Sequence, residues 1–197
     1  MKVAVSRQSL KRLLLRSQIA LLAAAAGMLG YCAFTLADTW IYQKQESRIF
    51  DVPHPRLAAP PSPTVLITGE LVGRIEIPRL GVSVIVAEGT DEATLRRAAG
   101  HIEGTQLPGL SGNVGIAGHR DTLFRPLRNI RQDDVITLTT LQGQYRYRVL
   151  STKVVSPYDV AVLNPDGHEI LTLVTCYPFY FIGPAPDRFV VRAARVL

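Results

Sequence analysis

Seven short segments rich in β-branched residues are distributed along the chain from residue 71 to the C-terminus. They read GRIEIP, VSVIVAE, NVGIAGH, DVITLTT, QYRYRVLSTKVV, EILTLVTC and RFVVRAARVL, and glycine, proline, aspartate or asparagine residues separate them. Such segments are typical of β-strands bounded by turns. One short helix is predicted over residues 91–99, with Asp91 or Thr90 as its cap and Gly100 at its end. Many short strands with few helices predict a mostly antiparallel closed barrel or sandwich, because closure removes exposed strand edges.

The segment Ile19–Ala37 contains no charged side chain. As a helix it would be roughly 28 Å long, which nearly matches the hydrocarbon core of a bilayer. Trp40 and Tyr42 follow it, and such amphipathic rings prefer the headgroup boundary. The basic residues before it are Lys2, Arg7, Lys11, Arg12 and Arg16. This charge predicts residues 1–18 as a cytoplasmic tail, residues 19–37 as an uncleaved transmembrane anchor, and the rest of the chain outside.

Two other interpretations of this N-terminal segment stay open. A cleaved signal peptide usually has a shorter apolar region and a small-x-small cleavage site, which Thr35-Leu36-Ala37 matches poorly. A lipoprotein signal ending at Cys32 would need a small residue where Tyr31 stands. The uncleaved anchor is therefore the favoured interpretation.

Residues 38–70 are predicted to form an extracytoplasmic linker in front of the strand-rich domain, residues 71–197. The stretch Val52–Thr64 reads VPHPRLAAPPSPT, and proline-rich chain favours the extended polyproline II conformation. We expect it to act as a semi-rigid stalk up to about 40 Å long. His54 lies inside it and is expected to be solvated.

The chain contains two cysteines, Cys32 and Cys176. Cys32 lies inside the predicted anchor, so the two are not expected to pair. A single thiol in an exported, oxidising compartment is either buried and inert or retained for its reactivity. Cys176 ends an apolar strand just before Pro178, which cannot continue a central strand ladder. This position favours a reactive role, because functional groups are usually displayed on rims and loops.

A nucleophilic thiol needs a base or a cationic neighbour, and histidine can supply either. His119 ends the segment NVGIAGH, beside Gly115 and Gly118, and leads the candidates. His101 follows it, although it could simply cap the predicted helix, and His168 lies in a turn. A third group that orients the base or stabilises an oxyanion is open among Asp121, Asn129, Asp187 and Arg188. Spacing cannot choose between residues so far apart in the sequence.

Charge and spacing exclude three other functions. Removing the five basic residues of the tail from the formal charge of +6 leaves about +1, too little for nucleic-acid recognition. His119-Arg120-Asp121 matches a kinase tripeptide, but Pro126 stands where that motif requires asparagine and no glycine-rich nucleotide loop precedes it. A zinc site is not expected, because one external cysteine with scattered histidines has no paired ligand spacing. No cofactor or other metal is expected.

Three stretches together resemble sortases, most closely those of class D: GNVGIAGHRDTLFRPLRNI, LTLVTCYPFYFIGPAPDRFVVRA and GRIEIPRLGVSVIVAEGT. TLVTC fits the TLxTC pattern of that family, and the similarity runs from about Val72 to the C-terminus. The resemblance implies a closed eight-stranded β-barrel with short helices, preceded by one transmembrane helix. It also implies Cys176 as nucleophile, His119 as acid and base, and Arg188 as the clamp for substrate and oxyanion. Thr175 and Gly118, beside the first two, are expected to bind substrate.

By this resemblance the chain is a membrane-anchored cysteine transpeptidase. It would cleave an LPxTG-like C-terminal signal of secreted proteins through a thioester and pass the acyl group to an amine, such as a cell-wall peptide or a pilin lysine. The loop Lys153–His168 is expected to wall the substrate groove. Two alternatives are kept: a membrane-tethered binding or scaffold domain without catalysis, and a cysteine hydrolase that releases its product to water. The L,D-transpeptidases do not fit, because they need a glycine directly before the cysteine.

Overall fold

The strand-rich part of the chain forms a closed barrel of eight strands, as predicted. The computed structural model describes residues 7–51, 66–165, 167–181 and 183–196. Its elements are α1 (Arg7–Asp51), β1 (Leu71–Ile77), β2 (Val82–Glu88), α2 (Glu92–Arg97), β3 (Ala99–His101), β4 (Gly112–Ala117), β5 (Val135–Thr139), β6 (Gln144–Val155), β7 (Glu169–Tyr177) and β8 (Asp187–Val196), with short 3-10 helices at Pro78–Leu80, Arg125–Asn129 and Val160–Leu163.

The strands close in the order β1-β2-β3-β4-β7-β8-β6-β5, and β5 pairs with β1 to complete the ring. Most neighbouring strands are antiparallel, as predicted, but β2 with β3 and β4 with β7 are parallel. The parallel pair of β4 and β7 joins segments separated by about half of the barrel sequence. This pairing therefore brings together residues that are distant along the chain.

Strand β3 is the element that the sequence pattern does not reveal. The helix predicted over residues 91–99 ends earlier, since α2 stops at Arg97 and Ala99–His101 pair with β2 and β4. His101 thus lies in a strand and does not cap a helix. Asp91 caps α2 as predicted, because its carboxylate accepts two backbone N–H groups of the first turn at 2.9 and 3.1 Å. A run of three residues is too short to display the alternation typical of a strand.

The barrel interior is filled by alternate residues of the strands. On β7, Leu171 and Leu173 are fully buried in this core, and on β8 the same holds for Val191 and Ala193. Side chains alternate between the two faces of a strand. The even-numbered residues of both strands therefore lie on the outer face of the barrel.

Strand β2 is buried on both faces, which explains its almost continuous apolar run VSVIVAE. One face contributes to the barrel core. The other face presents Ile85 and Ala87, which pack against Phe50 near the C-terminal end of α1. Residues 41–197 accordingly form one compact unit.

Polar contacts also attach the end of α1 to the barrel. Gln43 Nε2 donates to Arg97 O (2.7 Å), and Gln43 Oε1 accepts from Ile85 N–H (2.8 Å). Arg74 Nη1 on β1 contacts Asp51 Oδ1 at 2.5 Å. The sequence assigned residues 38–51 to the linker, but in the structure they are helical. The residues from 41 onward belong to the same compact unit as the barrel.

The part of α1 before Ile41 belongs to a separate unit, residues 1–40. Its large apolar side chains, such as Leu22, Leu29 and Phe34, are exposed. By its length and composition, the helix Leu10–Asp51 is a candidate to cross a membrane. The proposed stalk at residues 52–64, including His54, lies outside the described residues.

We expect Phe50→Ala to destabilise the barrel by about 3 kcal/mol, because the ring is removed from a packed cluster and leaves a cavity on β2. Phe50 is 5% exposed, whereas its neighbour Ile49 is 41% exposed and supplies the matched control. Chemical denaturation of the full-length protein in detergent measures both changes. An Ile49→Ala variant as unstable as Phe50→Ala would contradict the assigned packing.

Candidate active site

Cys176 occupies the second-last position of β7, on the outer face of the barrel near its rim. The residue is half-buried and its thiol is free. The strand ends at Tyr177 because Pro178 lacks the N–H that another ladder bond needs. Tyr177, Phe179 and Phe189 pack together here, with ring centroids 5.3 to 6.4 Å apart. The thiol thus sits on a rigid strand end that is accessible from outside.

Arg188 is the direct cross-strand partner of Cys176 in the antiparallel β7–β8 ladder. Residues paired in this way carry their side chains on the same face, with Cβ atoms about 4.5–5.5 Å apart. Arg188 Nη1 donates to Ala185 O (3.3 Å) and to Asp187 O (3.0 Å). A guanidinium has five N–H donors, so these bonds orient it without occupying all of them.

His119 lies two residues beyond the end of β4, where the parallel ladder with β7 continues. Ala117 pairs with Val174, and the next N–H, of Gly118, donates to Val174 O (3.1 Å). His119, two residues after Ala117, thus follows the ladder toward the strand end at which Cys176 lies, two residues after Val174. The His119 side chain is exposed. The structure therefore brings Cys176, Arg188 and His119 to one rim of the barrel.

Thr175 and Gly118 link the two strands that carry the thiol and the imidazole. Both residues are buried, and Thr175 Oγ1 donates to Gly118 O at 2.7 Å. A Cβ atom on Gly118 would lie 2.7 Å from the ring of Phe124, so glycine is required by close packing. These contacts fix the backbone of His119 against that of Cys176.

His101, the second candidate base, is enclosed in a different network. Its Nδ1 lies 2.7 Å from Glu88 Oε2, and its Nε2 lies 3.0 Å from Gln106 O and 3.1 Å from Thr105 Oγ1. Its side chain is only 3% exposed. One ring nitrogen thus binds the end of β2 and the other binds the turn after β3, which argues against exchange of protons with a substrate.

The other candidates lie apart from the thiol or serve other contacts. His168 is exposed in the turn before β7, Asp121 is exposed beside Arg120, and Asn129 is exposed and accepts a bond from Arg79 through its carbonyl. Asp187 pairs with Tyr177, one step beyond the cysteine. Over the ranges that the structure describes, no three His, Cys, Asp or Glu residues are arranged to hold a metal ion.

The connection between β6 and β7 folds over the outer face of β4. Asn113 is buried on that face, and its Nδ2 donates to Val162 O (3.1 Å) and Asn164 O (3.4 Å). Its Oδ1 accepts from Thr172 Oγ1 on β7 (2.7 Å). These bonds hold the 3-10 helix Val160–Leu163 as a wall beside the surface that carries the three rim residues.

No pattern in the sequence singles out Arg120, which follows His119. It is 5% exposed and contacts the connection between β7 and β8. An arginine in a loop is by default solvated, so its burial was not foreseeable. Its one distinction in the sequence is its position directly after the candidate base, in the stretch AGHRD.

The sequence also matches known proteins in the region that forms the barrel. Residues 75–196 match the family described as the sortase domain. The chain belongs to the sortase family. Sortase D of Bacillus subtilis is 34% identical over 130 residues, a match that spans 66% of this chain and 66% of that protein.

Solved sortase structures share the same fold. A Clostridium perfringens Sortase D5 transpeptidase superposes with a TM-score of 0.61 at 33% identity, covering 67% of this sortase and 82% of that chain. The SrtA sortase of Actinomyces oris gives a TM-score of 0.63 at 29% identity, covering 72% and 88%. The predicted family, the resemblance to class D and the eight-stranded barrel are all confirmed.

We expect Thr175→Val to cost about 1–3 kcal/mol of stability, because a buried carbonyl of this sortase loses its hydrogen-bond donor. Thr140→Val is the matched control, since Thr140 is also a buried threonine whose hydroxyl donates to a main-chain carbonyl, that of Gly143 (3.2 Å) in the turn between β5 and β6. Of these two hydroxyls, that of Thr175 binds the residue next to His119. Peptide-cleavage assays on folded protein should therefore fall for Thr175→Val and not for Thr140→Val; equal losses would contradict the distinction.

Proposed function

We propose that this sortase is a cysteine transpeptidase that cleaves an LPxTG-like sorting signal and transfers the acyl group to an amine. The observation that carries this proposal is the direct cross-strand pairing of Cys176 with Arg188, at a rim toward which the parallel β4–β7 ladder also leads His119. A sulfur nucleophile, an acid–base group and a fixed cation are what two-step acyl transfer needs.

In the first step, the Cys176 sulfur attacks as a thiolate, its proton being held by His119, and its target is the carbonyl carbon of the threonine of the signal. A C–S bond forms, and the Arg188 guanidinium stabilises the negative charge that develops on the carbonyl oxygen. The C–N bond to the next residue then breaks, and the imidazolium of His119 gives its proton to the leaving amine. The product is a thioester on Cys176.

In the second step, an amine attacks the thioester carbonyl after His119 takes its proton. A C–N bond forms, the C–S bond breaks, and the sulfur leaves as a thiolate. His119 has regained the proton that it gave in the first step, so the cycle closes without a cofactor. We assign the acceptor to the class of cell-wall peptide amines or pilin lysines.

The segment of the signal before the scissile bond is proposed to bind along the outer face of β8. A cavity of about 260 Å³ lies there beside the wall at Val160–Leu163. Its lining comprises Ser151, Lys153, Asp159, Ala161, Val162, Val190 and Arg192. Val190 and Arg192 follow Arg188 at a spacing of two residues and share its face. Thr175 and Gly118, being buried, are assigned to holding the site and not to touching the peptide.

The barrel is proposed to lie outside the membrane, with residues 1–18 in the cytoplasm. The five basic residues before the apolar segment support this orientation. Protease added to intact cells should then digest the barrel and spare the tail. Digestion of the tail alone would contradict the orientation.

Mass spectrometry of the full-length protein in detergent tests the activity. With LPxTG-like and LPxTA-like peptides, the wild type should form a thioester adduct, and an added amine should convert it to an amide product. Cys176→Ala should form neither, because it lacks the sulfur. Cys32→Ala is the matched control and should retain both, since Cys32 lies in α1.

Other outcomes would select the alternatives. Equal activity of Cys176→Ala and wild type would end the enzymatic interpretation. If the cleaved peptide carries a free carboxylic acid, and no amide product forms with any of the added amines, the protein is a hydrolase. Binding of peptide without any adduct would identify a binding domain.

A further inference from the structure

Arg120 is a buried cation placed under the connection between β7 and β8, residues 178–186. Its Nη1 donates to Pro178 O (2.8 Å), and its Nη2 donates to Phe181 O (2.6 Å) and Gly183 O (3.1 Å). Its guanidinium carbon also lies 6.0 Å from the centre of the Phe181 ring. Three main-chain carbonyls of one loop therefore converge on a single side chain.

This arrangement is not an ordinary ion pair. Among the described residues, the carboxylate that contacts Arg120 is Asp121 at 3.4 Å, and that side chain is 70% exposed while Arg120 is 6% exposed. The charge is thus balanced mainly by carbonyl dipoles inside the rim. Hydrogen bonds from a charged donor are shorter and stronger than neutral ones, so removing the guanidinium deprives the loop of three strong main-chain contacts.

Few main-chain hydrogen bonds are found within the described part of the loop. Pro178, Pro184 and Pro186 lack N–H groups, which limits the backbone bonds that the loop can make. One backbone bond within it, Phe181 N–H to Pro178 O, is 3.3 Å long. The planar fork of Arg120 supplies donors that the loop itself lacks.

The two ends of this loop carry two of the three rim residues. Cys176 precedes it by two residues, and Arg188 follows it and donates to Ala185 O and Asp187 O at its end. Arg120 itself is covalently next to His119. One side chain is therefore tied to the segments that carry the thiol, the guanidinium and the imidazole.

We propose that Arg120 is a positioning residue, which sets the distances among Cys176, His119 and Arg188 by clamping the β7–β8 loop to the segment after β4. This inference rests on the proposed function and extends it to a residue that touches neither peptide nor amine. Its role differs from general stabilisation, because a displaced loop changes the electrostatic surroundings of the sulfur even when the barrel stays folded.

The test compares Arg120→Met and Arg120→Lys with wild type in the full-length protein, at temperatures well below each unfolding transition. We expect kcat/KM to fall on the order of 100-fold for Arg120→Met, mainly through kcat, because small misplacements of reacting groups cost this much. Arg120→Lys should recover part of the loss, since an ammonium can satisfy some of the carbonyls but not the forked geometry.

A second readout needs no substrate. The rate of Cys176 alkylation by iodoacetamide is measured as a function of pH. The Cys32→Ala substitution is present in every variant, so that Cys176 is the thiol that reacts. The profile should move in both Arg120 variants because the cationic neighbours of the sulfur have shifted. A variant that melts earlier but keeps the wild-type profile and kcat would overturn the proposal and leave Arg120 a purely structural residue.

Arg128 supplies the matched control. It is an exposed arginine that contacts the same loop, through Nη1 to Tyr180 Oη (2.9 Å) and the ring at 5.6 Å, but it reaches a side chain and not the main chain. Arg128→Met should change kcat/KM and the alkylation rate by no more than about twofold, as is usual for surface substitutions. A loss equal to that of Arg120→Met would overturn the specific role of Arg120.

Two further arms keep the outcome interpretable. If both Arg120 variants fail to fold, Phe181→Ala replaces them, because this half-exposed ring lies over the guanidinium. An unchanged alkylation profile of Phe181→Ala would then overturn the proposal.

If the wild type forms no thioester with any peptide, the proposed function fails. The alkylation profiles still decide whether Arg120 positions the thiol.

Discussion

The parallel ladder between β4 and β7 determines where the proposed catalytic side chains of this sortase can meet. It runs from Gly112 opposite Glu169 to Ala117 opposite Val174. Because strands in register advance together, a residue just beyond one strand lies level with the end of the other. The antiparallel pairing of β7 with β8 then adds the third side chain on the same face. A shift of either ladder by one residue would turn one of these groups toward the core.

Buried polar contacts give this rim its rigidity. The Thr175 hydroxyl joins β7 to the end of β4, the Asn113 amide holds the wall formed by the β6–β7 connection, and Arg120 holds the next loop. Each donates to main-chain carbonyls and so fixes a loop or a strand end in place. A site built on strand ends and held by such bonds is organised before any substrate arrives, which lowers the cost of reaching the transition state.

Much of the fold is encoded locally and was predictable. Short runs rich in β-branched residues indicate seven of the eight strands. Asp91 indicates the start of α2, and Pro178 indicates that Cys176 lies at a strand end. These features depend on a few neighbouring residues. The closed barrel itself followed from the resemblance to sortases, since strand number and order are not local properties.

The remaining features depend on contacts between distant residues. Nothing in the spacing of His119 and Cys176 encodes a parallel pairing, so sequence reasoning could rank the histidines but not choose among them. The burial of Arg120 and the pairing of His101 with Glu88 arise only when the barrel closes. Strand β3 could not be predicted either. Pairing with β2 and β4, and not a local sequence pattern, holds its three residues in the extended conformation.

The covering of β2 by the end of α1 bears on how the catalytic region can be isolated. A recombinant fragment that begins at the first strand would leave Ile85 and Ala87 partly uncovered, because Phe50 and Tyr42 would be missing from their apolar cluster. Exposed apolar strand surface promotes self-association. A fragment that begins near Ile41 keeps this surface covered while omitting the exposed apolar side chains of the preceding unit.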